Sequence, residues 1–247
     1  MGSTPIAMTP VTATDTTRKK HVLYPNAPWY FGLAVVITWL GFSFSYFARL
    51  RQTDIFHHLH GASAGLWMAL LIVQPILYRR GQLRLHRQLG RIGSTVLVPA
   101  LLMGGLKMMQ MMMQNAATYP PGSVYQLGYI DAVSLVLFAL FFGLSMRYRK
   151  QVQLHARYIV CTVLIIIPPA ITRLLFFIPW FDSFTKTLNG SFVVVELVLL
   201  LLLLDDKRTG PVRKPYQLAL LLFALLHLTM NVAGGWLWWQ TVLNQFV

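Results

Sequence analysis

The sequence is poor in acidic residues and in charge of any kind. Only 7 of its 247 residues are Asp or Glu, against 21 Lys and Arg, and charged residues make up 11% of the chain. A typical soluble domain is about one quarter charged, and hydrophobic residues here reach 56%. The composition therefore excludes an ordinary soluble domain and favours a protein whose surface faces lipid.

Cysteine and the motifs of familiar enzymes are scarce as well. Cys161 is the only cysteine and lies inside an apolar run, which excludes a disulfide framework and a CxxC redox motif. The chain contains no Walker loop, no HExxH and no dinucleotide-binding fingerprint. The basic residues stand in short clusters between apolar runs, an arrangement that suits anionic lipid headgroups. We therefore expect a lipid bilayer as the partner and no nucleic acid.

Seven apolar runs follow a polar start. A bilayer core about 30 Å thick needs about 20 helical residues, and lipid offers no partner for open backbone groups, so the runs must be helical. The sequence predicts an all-α membrane protein with seven transmembrane helices in residues 29–247 and a disordered cytoplasmic tail at residues 1–28. The predicted helices are Trp29–Ala48, Phe56–Tyr78, Ile92–Met113, Leu127–Met146, Arg157–Trp180, Ser191–Leu204 and Tyr216–Trp239.

The distribution of basic residues predicts the orientation. With the N-terminus inside, 16 Lys and Arg fall in cytoplasmic segments and only Arg49, Arg51 and Lys186 fall in outer loops. This asymmetry follows the positive-inside rule, so the N-terminus is predicted in the cytoplasm and the C-terminus outside. The cytoplasmic set is Arg18, Lys19, Lys20, Arg79, Arg80, Arg84, Arg87, Arg91, Arg147, Arg149, Lys150, Arg157, Lys207, Arg208, Arg213 and Lys214.

Two of the cytoplasmic segments resemble each other. Residues 80–86 read RGQLRLH and residues 149–155 read RKQVQLH, and each segment is followed by a predicted helix. Parallel repeats are common in membrane folds. The sequence therefore predicts a repeat in which helices two and three correspond to helices four and five, with chance similarity as the alternative.

Polar side chains inside the apolar runs give the strongest indication of a functional site. Such groups are costly in a bilayer and usually face a bundle interior or a cavity. Counted from the predicted outer ends, Lys107, Arg173 and Glu196 all lie about 8–9 Å deep by helical rise. The sequence therefore predicts one polar site in the outer half of the membrane, formed by Lys107, Asp131, Arg173, Glu196, His227 and Asn231.

Two kinds of role are open for this outer polar site. Carboxylates and imidazole can act as acid or base, so Asp131, Arg173, Glu196 and His227 are the candidate catalytic or transport residues. Structural roles are the alternative: Arg173 and Glu196 can form an ion pair, Lys107 and Arg173 can extend to the membrane surface, and His227 can be a hydrogen-bonded interior residue.

A kink is expected next to this site. Pro168 and Pro169 interrupt the fifth apolar run just before Arg173. Proline removes a backbone donor and clashes with the carbonyl four residues back. The predicted consequence is a bend that opens space beside the arginine.

Histidine and methionine suggest a metal site at the outer ends of helices two and three. His57 and His60 are three residues apart on one helix face, a spacing at which two imidazoles can share a metal ion. The run MMQMMM at residues 108–113 supplies thioether sulfur, which suits Cu(I). The alternatives are a hydrated histidine cluster and methionine as a flexible apolar filler.

His86 and His155 suggest a different cofactor. Both begin a predicted helix on the cytoplasmic side, at matching positions of the repeat. Two imidazoles on separate helices can hold a haem iron between them, and neighbouring arginines can bind the haem propionates. The alternative is that both are interfacial histidines in contact with water or lipid phosphate.

Several of these residues carry a family resemblance. The motifs HLHG at 58–61, LHRQLGR at 85–91, the His155–Arg157 pair and PAITRL at 169–174 resemble those of small seven-helix bacterial membrane proteins of largely unknown function. The resemblance implies a bacterial inner-membrane protein and gives weight to His58, His60, His86, His155 and Arg173. In that group the loop corresponding to residues 205–215 often carries a histidine, where this chain has Arg213 and Lys214.

The leading functional hypothesis is a small membrane redox protein that binds haem or a copper ion through histidine. The others are a small-molecule transporter or carrier, an enzyme acting on a lipid-soluble substrate, and an assembly subunit without chemistry of its own.

Overall fold

The computed structural model describes residues 25–246, and this part of the chain folds into ten α-helices without a β-strand. The predicted tail at residues 1–28 lies almost entirely outside the described residues, as do Arg18, Lys19 and Lys20. The helices are α1 (Ala27–Gly41), α2 (Ile55–Arg79), α3 (Leu83–Ile92), α4 (Val98–Gln114), α5 (Ser123–Arg147), α6 (Val152–Ile166), α7 (Pro168–Leu175), α8 (Phe184–Thr209), α9 (Lys214–Ala233) and α10 (Leu237–Gln245).

Five helical segments are long and apolar enough to cross a membrane. They are α2, the joined segment Leu83–Gln114, α5, α8 and α9. The pair α6 and α7, bent by 41°, makes a sixth if it is one span. The prediction of an all-helical, multi-pass membrane protein is confirmed to this extent, and the bend confirms the kink predicted at Pro168 and Pro169.

The first helix is shorter than predicted. It ends at Gly41 after 15 residues, or about 22 Å of helical rise, whereas a helix to Ala48 was expected. The Ser43 hydroxyl donates to the Leu40 carbonyl at 2.7 Å, a local bond that competes with continuation of the helix. Gly41 also contacts α7 so closely that an added Cβ would lie 2.5 Å from the Ala170 carbonyl oxygen.

Helix α8 is longer than predicted. It begins at Phe184 rather than Ser191, because the Ser183 side chain accepts a hydrogen bond from the Lys186 amide at 3.3 Å and caps the first turn. It continues past Leu204 to Thr209. Glu196 therefore lies 12 residues from the start of the helix, about 18 Å by helical rise and near its middle, rather than 8–9 Å deep.

The third predicted span begins at Leu83 rather than at Ile92 and contains an irregular turn. Helix α3 is joined to α4 by a single π-helical turn, Gly93–Leu97. The turn precedes Pro99, which has no N–H to donate to the carbonyl four residues back. Single π-helical turns often mark functional regions, and this one packs against α2.

The helices form a closed ring. Going round it, α1, α2, α4, α5, α9, α8 and α7 each pack on the next, α7 closes on α1, and α6 fills the space against α5 and α9. Bulky residues such as Phe141, Phe192, Leu199 and Tyr216 are buried inside. Large apolar side chains also cover the outer surface, with Leu228 of α9 74% exposed, as expected for a surface in contact with lipid.

The two ends of the bundle differ in composition. One end, here the tryptophan end, carries Trp180, Trp236, Trp238 and Trp239. The other, here the arginine end, carries the ends of α2 and α5, the start of α6 and the exposed helix α3, with Arg79, Arg80, Arg84, Arg87, Arg91, Arg147 and Arg149.

Candidate functional site

A hydrogen-bonded polar cluster lies between α8 and α9. The His227 Nδ1 atom lies 2.8 Å from Glu196 Oε1, and His227 Nε2 lies 3.1 Å from Asn189 Oδ1. Asn231 Nδ2 donates to Asn189 Oδ1 at 2.9 Å. The His227 and Glu196 side chains are 18% and 21% exposed, so the cluster opens on the outer, apolar surface of the bundle.

The amide of Asn189 determines where His227 carries its proton. Asn189 Nδ2 donates to the Thr185 carbonyl at 2.8 Å, so its oxygen is the atom that faces His227 Nε2. Because an amide oxygen only accepts, Nε2 must carry a hydrogen. Nδ1 therefore shares a single proton with Glu196, and the pair is neutral overall whichever partner holds it. A proton can move between the two partners without changing the net charge of the pair, which matters because a net charge is costly in an apolar setting.

The predicted outer polar residues do not form one hydrogen-bonded group. Glu196 pairs with His227 rather than with Arg173. Arg173 donates to the Pro169 carbonyl at 2.8 Å, lies over the Phe42 ring at 4.4 Å and interacts electrostatically with Asp131. The expectation of equal depth placed Arg173 and Glu196 together, but Arg173 lies in the last turn of α7 and Glu196 lies near the middle of α8.

Lys107 forms a third, separate group. Its Nζ donates to Gln110 Oε1 at 2.9 Å and lies 4.9 Å from the centre of the Phe56 ring. These partners come from α4 itself and from the start of α2. The ammonium is therefore held near the tryptophan end, away from Glu196 and His227.

The two histidines predicted to bind a metal have different surroundings. His57 Nδ1 is bonded to Asp54, which also caps α2, whereas His60 Nδ1 is buried without a hydrogen-bond partner. The adjacent His58 lies 2.8 Å from the Tyr46 hydroxyl. Within residues 25–246 no group of three His, Cys, Asp or Glu side chains is placed to hold a metal ion.

The methionine run packs as core. Met109, Met112 and Met113 are buried against Trp239 and Leu243 in a small cluster at the tryptophan end. They pack against aromatic and aliphatic side chains of α5 and α10, as methionine used as apolar filler does.

His86 and His155 are held in the same way at the arginine end. His86 Nδ1 lies 3.4 Å from the Gln74 carbonyl, and Gln74 Nε2 donates to the His86 carbonyl at 3.1 Å. His155 Nδ1 lies 3.0 Å from the Ser145 carbonyl, and Ser145 Oγ lies 3.3 Å from the His155 carbonyl. In each hairpin the histidine bonds the backbone of a polar residue on the preceding helix.

These bonds orient both rings. Nδ1 of His86 faces the Gln74 carbonyl, which only accepts, so it carries the proton and its Nε2 presents a lone pair. Nδ1 of His155 faces the Ser145 carbonyl and, at 2.8 Å, the Ser145 hydroxyl, and with its proton directed to the carbonyl its Nε2 likewise presents a lone pair. Neither Nε2 has a hydrogen bond to a described residue, and His86 and His155 are close enough to interact electrostatically. A carbonyl bound to one ring nitrogen is the usual support for a histidine that ligates metal through the other.

Sequence reasoning missed a buried ion pair beside this site. Arg157 was predicted only as a member of a cytoplasmic basic cluster, but it is 2% exposed and Asp206 is 1% exposed. Arg157 Nε and Nη2 donate to Asp206 at 2.6–3.0 Å, and Nη1 donates to Gln153 Oε1 at 2.6 Å. The pair joins α6 to α8 two residues from His155. The only indication of this ion pair in the sequence was Asp206, which lies in a segment predicted to be a loop.

A Gly-x-Ser-x-Gly pattern occurs at residues 61–65 and has no catalytic setting. A nucleophile elbow places its serine on a sharp turn between a strand and a helix. Ser63 lies inside α2 instead, and its hydroxyl donates to the His60 carbonyl at 2.8 Å. We assign it no nucleophilic role.

No family model, curated protein or solved structure matches this chain. Its class is defined by the fold and the sites: an all-helical protein with five or six candidate membrane spans. Two polar sites stand out, the paired histidines at the arginine end and the Glu196–His227 cluster between α8 and α9.

Proposed function

We propose that the chain is a seven-span protein of the bacterial inner membrane with its arginine end in the cytoplasm. The seventh span is α1, which completes the ring although it has only 15 residues. The gathering of arginines at one end and tryptophans at the other supports this orientation. Alkaline phosphatase fused after residue 247 is expected to be active, and the same enzyme fused at Lys150 is expected to be inactive.

We further propose that α2–α4 and α5–α7 are repeats of one unit. The reciprocal bonds between Gln74 and His86 and between Ser145 and His155 support this, because they join corresponding helices at corresponding positions.

We propose that the protein is a membrane redox protein that binds haem between His86 and His155. The observation that carries this proposal is the matched orientation of the two rings, each with Nδ1 bonded to a carbonyl and Nε2 unbonded. The donor set fits haem, because two neutral imidazoles from separate hairpins would hold its iron and arginines at the same end would bind its propionates. Haem bound there supplies one-electron transfer.

The chain's own residues give this site its rigidity. Gln74 and Ser145 hold the two rings from the preceding helices, and the Arg157–Asp206 pair anchors α6 to α8 close to His155. Such supporting bonds would fix the orientation of the two rings as ligands.

The test is the absorbance spectrum of protein purified after expression with a haem supply. We expect a Soret band that sharpens and shifts on reduction, and its loss in His86→Ala and in His155→Ala. His58→Ala is the matched control, because His58 bonds Tyr46 at the opposite end. A wild-type protein that folds but shows no Soret band overturns the proposal.

A second candidate function is favoured by the Glu196–His227 cluster. A neutral proton-sharing pair that opens on the lipid-facing surface suits an enzyme or carrier for a lipid-soluble compound with an exchangeable proton. Candidate compounds can be screened by the thermal stabilisation they cause. A true ligand is expected to stabilise the wild type but not Glu196→Leu, and equal stabilisation of both contradicts a role for this cluster.

A further inference from the structure

Asp131 lies on the inward face of α5, but protein does not enclose its carboxylate. Phe138, about two helical turns further along the same face, is 2% exposed, and its ring centre lies 5.7 Å from that of Trp67 in α2. Asp131 itself is only partly buried. Within residues 25–246 no group donates a hydrogen bond to its carboxylate oxygens, and these oxygens are not buried. Open space therefore adjoins them inside the bundle.

The end of α6 accounts for this space. Helix α6 fills the ring from the arginine end, and none of residues 153–168 is exposed. It runs antiparallel to α5, with Tyr158 stacked on Phe141. Continued along both helices, this register places the last residue of α6 about two or three residues short of Asp131. There the chain bends by 41° into α7, which packs on α1 and α8 instead. No described helix therefore continues α6 at the level of Asp131.

Arg173 of α7 faces the same space. Its side chain is exposed, but it interacts electrostatically with Asp131 and with Tyr119, which lies in the connection between α4 and α5. Because α7 and α5 are not neighbours in the ring, the interaction with Asp131 crosses the interior. The two charged groups form no ion pair within 4 Å. Tyr119 is 37% exposed at the tryptophan end, so the space opens at that end.

The guanidinium of Arg173 has a free edge. Its Nη1 donates to the Pro169 carbonyl at 2.8 Å, and the Phe42 ring centre lies 4.4 Å from the guanidinium carbon. Nε and Nη2 donate to no residue that the structure describes. Arginine binds a carboxylate through two parallel hydrogen bonds from such an edge. Asp131 is in the converse position, because its ionised carboxylate can only accept and has no donor.

We propose that this space between Asp131 and Arg173, here the outer chamber, binds a small zwitterion that carries a carboxylate and an ammonium, as a free amino acid does. The carboxylate binds the Nε–Nη2 edge of Arg173, and the ammonium donates to Asp131. A zwitterion pairs both charges, whereas a simple anion leaves Asp131 unpaired and a simple cation leaves Arg173 unpaired, which is costly away from bulk water. The chamber lies at the opposite end from His86 and His155, so it does not depend on the proposed haem site.

Thermal stabilisation of the purified full-length protein tests the chamber. The probes are glycine, L-leucine, β-alanine and γ-aminobutyrate, which differ in size and charge separation, with butyrate and butylamine as singly charged controls. A ligand at ten times its Kd raises Tm by about 3–6 °C for a chain of this size. We expect at least one zwitterion at about 10 mM to reach this shift, and the controls to stay below about 1 °C. If none of the four zwitterions raises Tm, the chamber holds only water and the proposal is overturned.

Substitutions at the two charges distinguish binding from a structural role. Asp131→Asn and Arg173→Gln are each expected to raise the Kd of the stabilising zwitterion at least about tenfold, because each removes a charge-assisted hydrogen bond. Each variant is compared with its own ligand-free Tm, so a general loss of stability does not count. Asp131→Asn is also expected to bind butyrate at least as well as the wild type does, since Arg173 remains.

The matched controls are Asp182→Asn and Arg51→Gln, which remove exposed charges at the same end and are expected to leave Kd unchanged. If Arg173→Gln does not fold, Arg173→Lys replaces it, because lysine keeps the charge but not the edge with two donors. A Kd that Asp131→Asn leaves unchanged overturns the proposal, as does an equal rise in Kd in Asp182→Asn.

Discussion

The buried pair of Arg157 and Asp206 predicts a large and measurable loss of stability. Asp206→Asn keeps the size of the side chain but removes the charge that faces Arg157 at 2.6–3.0 Å. Both side chains are at most 2% exposed, so water cannot replace the lost carboxylate. Removing one member of a buried pair costs about 3–5 kcal/mol. For a chain of this size each kcal/mol lowers Tm by about 2–4 °C, so we expect a fall of about 6–20 °C.

Cys161 provides the assay. It is fully buried and is the only thiol in the chain, so a thiol-reactive fluorescent dye reports its exposure as detergent-solubilised protein is heated. Asp205→Asn is the matched control, because the adjacent Asp205 is exposed and its change should cost less than about 0.5 kcal/mol. Equal Tm values for Asp206→Asn and Asp205→Asn refute the reasoning.

Two further predictions concern local geometry. In nitrogen-15 spectra of histidine-labelled protein, His227 is expected to carry hydrogen on Nε2, because Asn189 offers it an oxygen; an unprotonated Nε2 would contradict the assigned amide orientation. Gly41→Ala is expected to destabilise the protein by about 1–3 kcal/mol, since the new methyl would lie 2.5 Å from the Ala170 carbonyl oxygen. Its control, Gly143→Ala on the open face of α5, is expected to gain about 0.5–1 kcal/mol, and a loss at both positions would count against the close approach of α1 and α7.

Polar groups near helix ends were the hardest to place from the sequence. The hydropathy pattern predicted that α8 begins at Ser191, because Thr185, Lys186 and Asn189 are polar. In the structure the helix begins earlier, where Ser183 caps its first turn. That shift moves Glu196 from near the end of its helix to the middle. The same effect at the other end places Asp206 inside the helix, where it meets Arg157.

The sequence alone could not show which polar side chains of separate helices interact with each other. Arg173 and Glu196 have similar predicted depths, but depth says nothing about rotation around the helix axis or about which helices are neighbours. The ring places α9 beside α8, so His227 rather than Arg173 reaches Glu196. His60, Trp67 and Gln74 of α2 show the opposite case: their spacing of seven residues is visible in the sequence, but only packing reveals that each has a buried polar atom without a hydrogen-bond partner.

What the sequence alone determined is the class of the molecule. Long apolar runs with few charges must form helices in contact with lipid, because no other structure satisfies the backbone there, and the kink at Pro168 follows from proline chemistry. What only the tertiary structure decided is which polar groups meet: the orientation of His86 and His155, the Arg157–Asp206 pair and the Glu196–His227 cluster. Hydrogen bonds depend on distances of a few tenths of an ångström between separate helices, and these distances are set by how the helices pack.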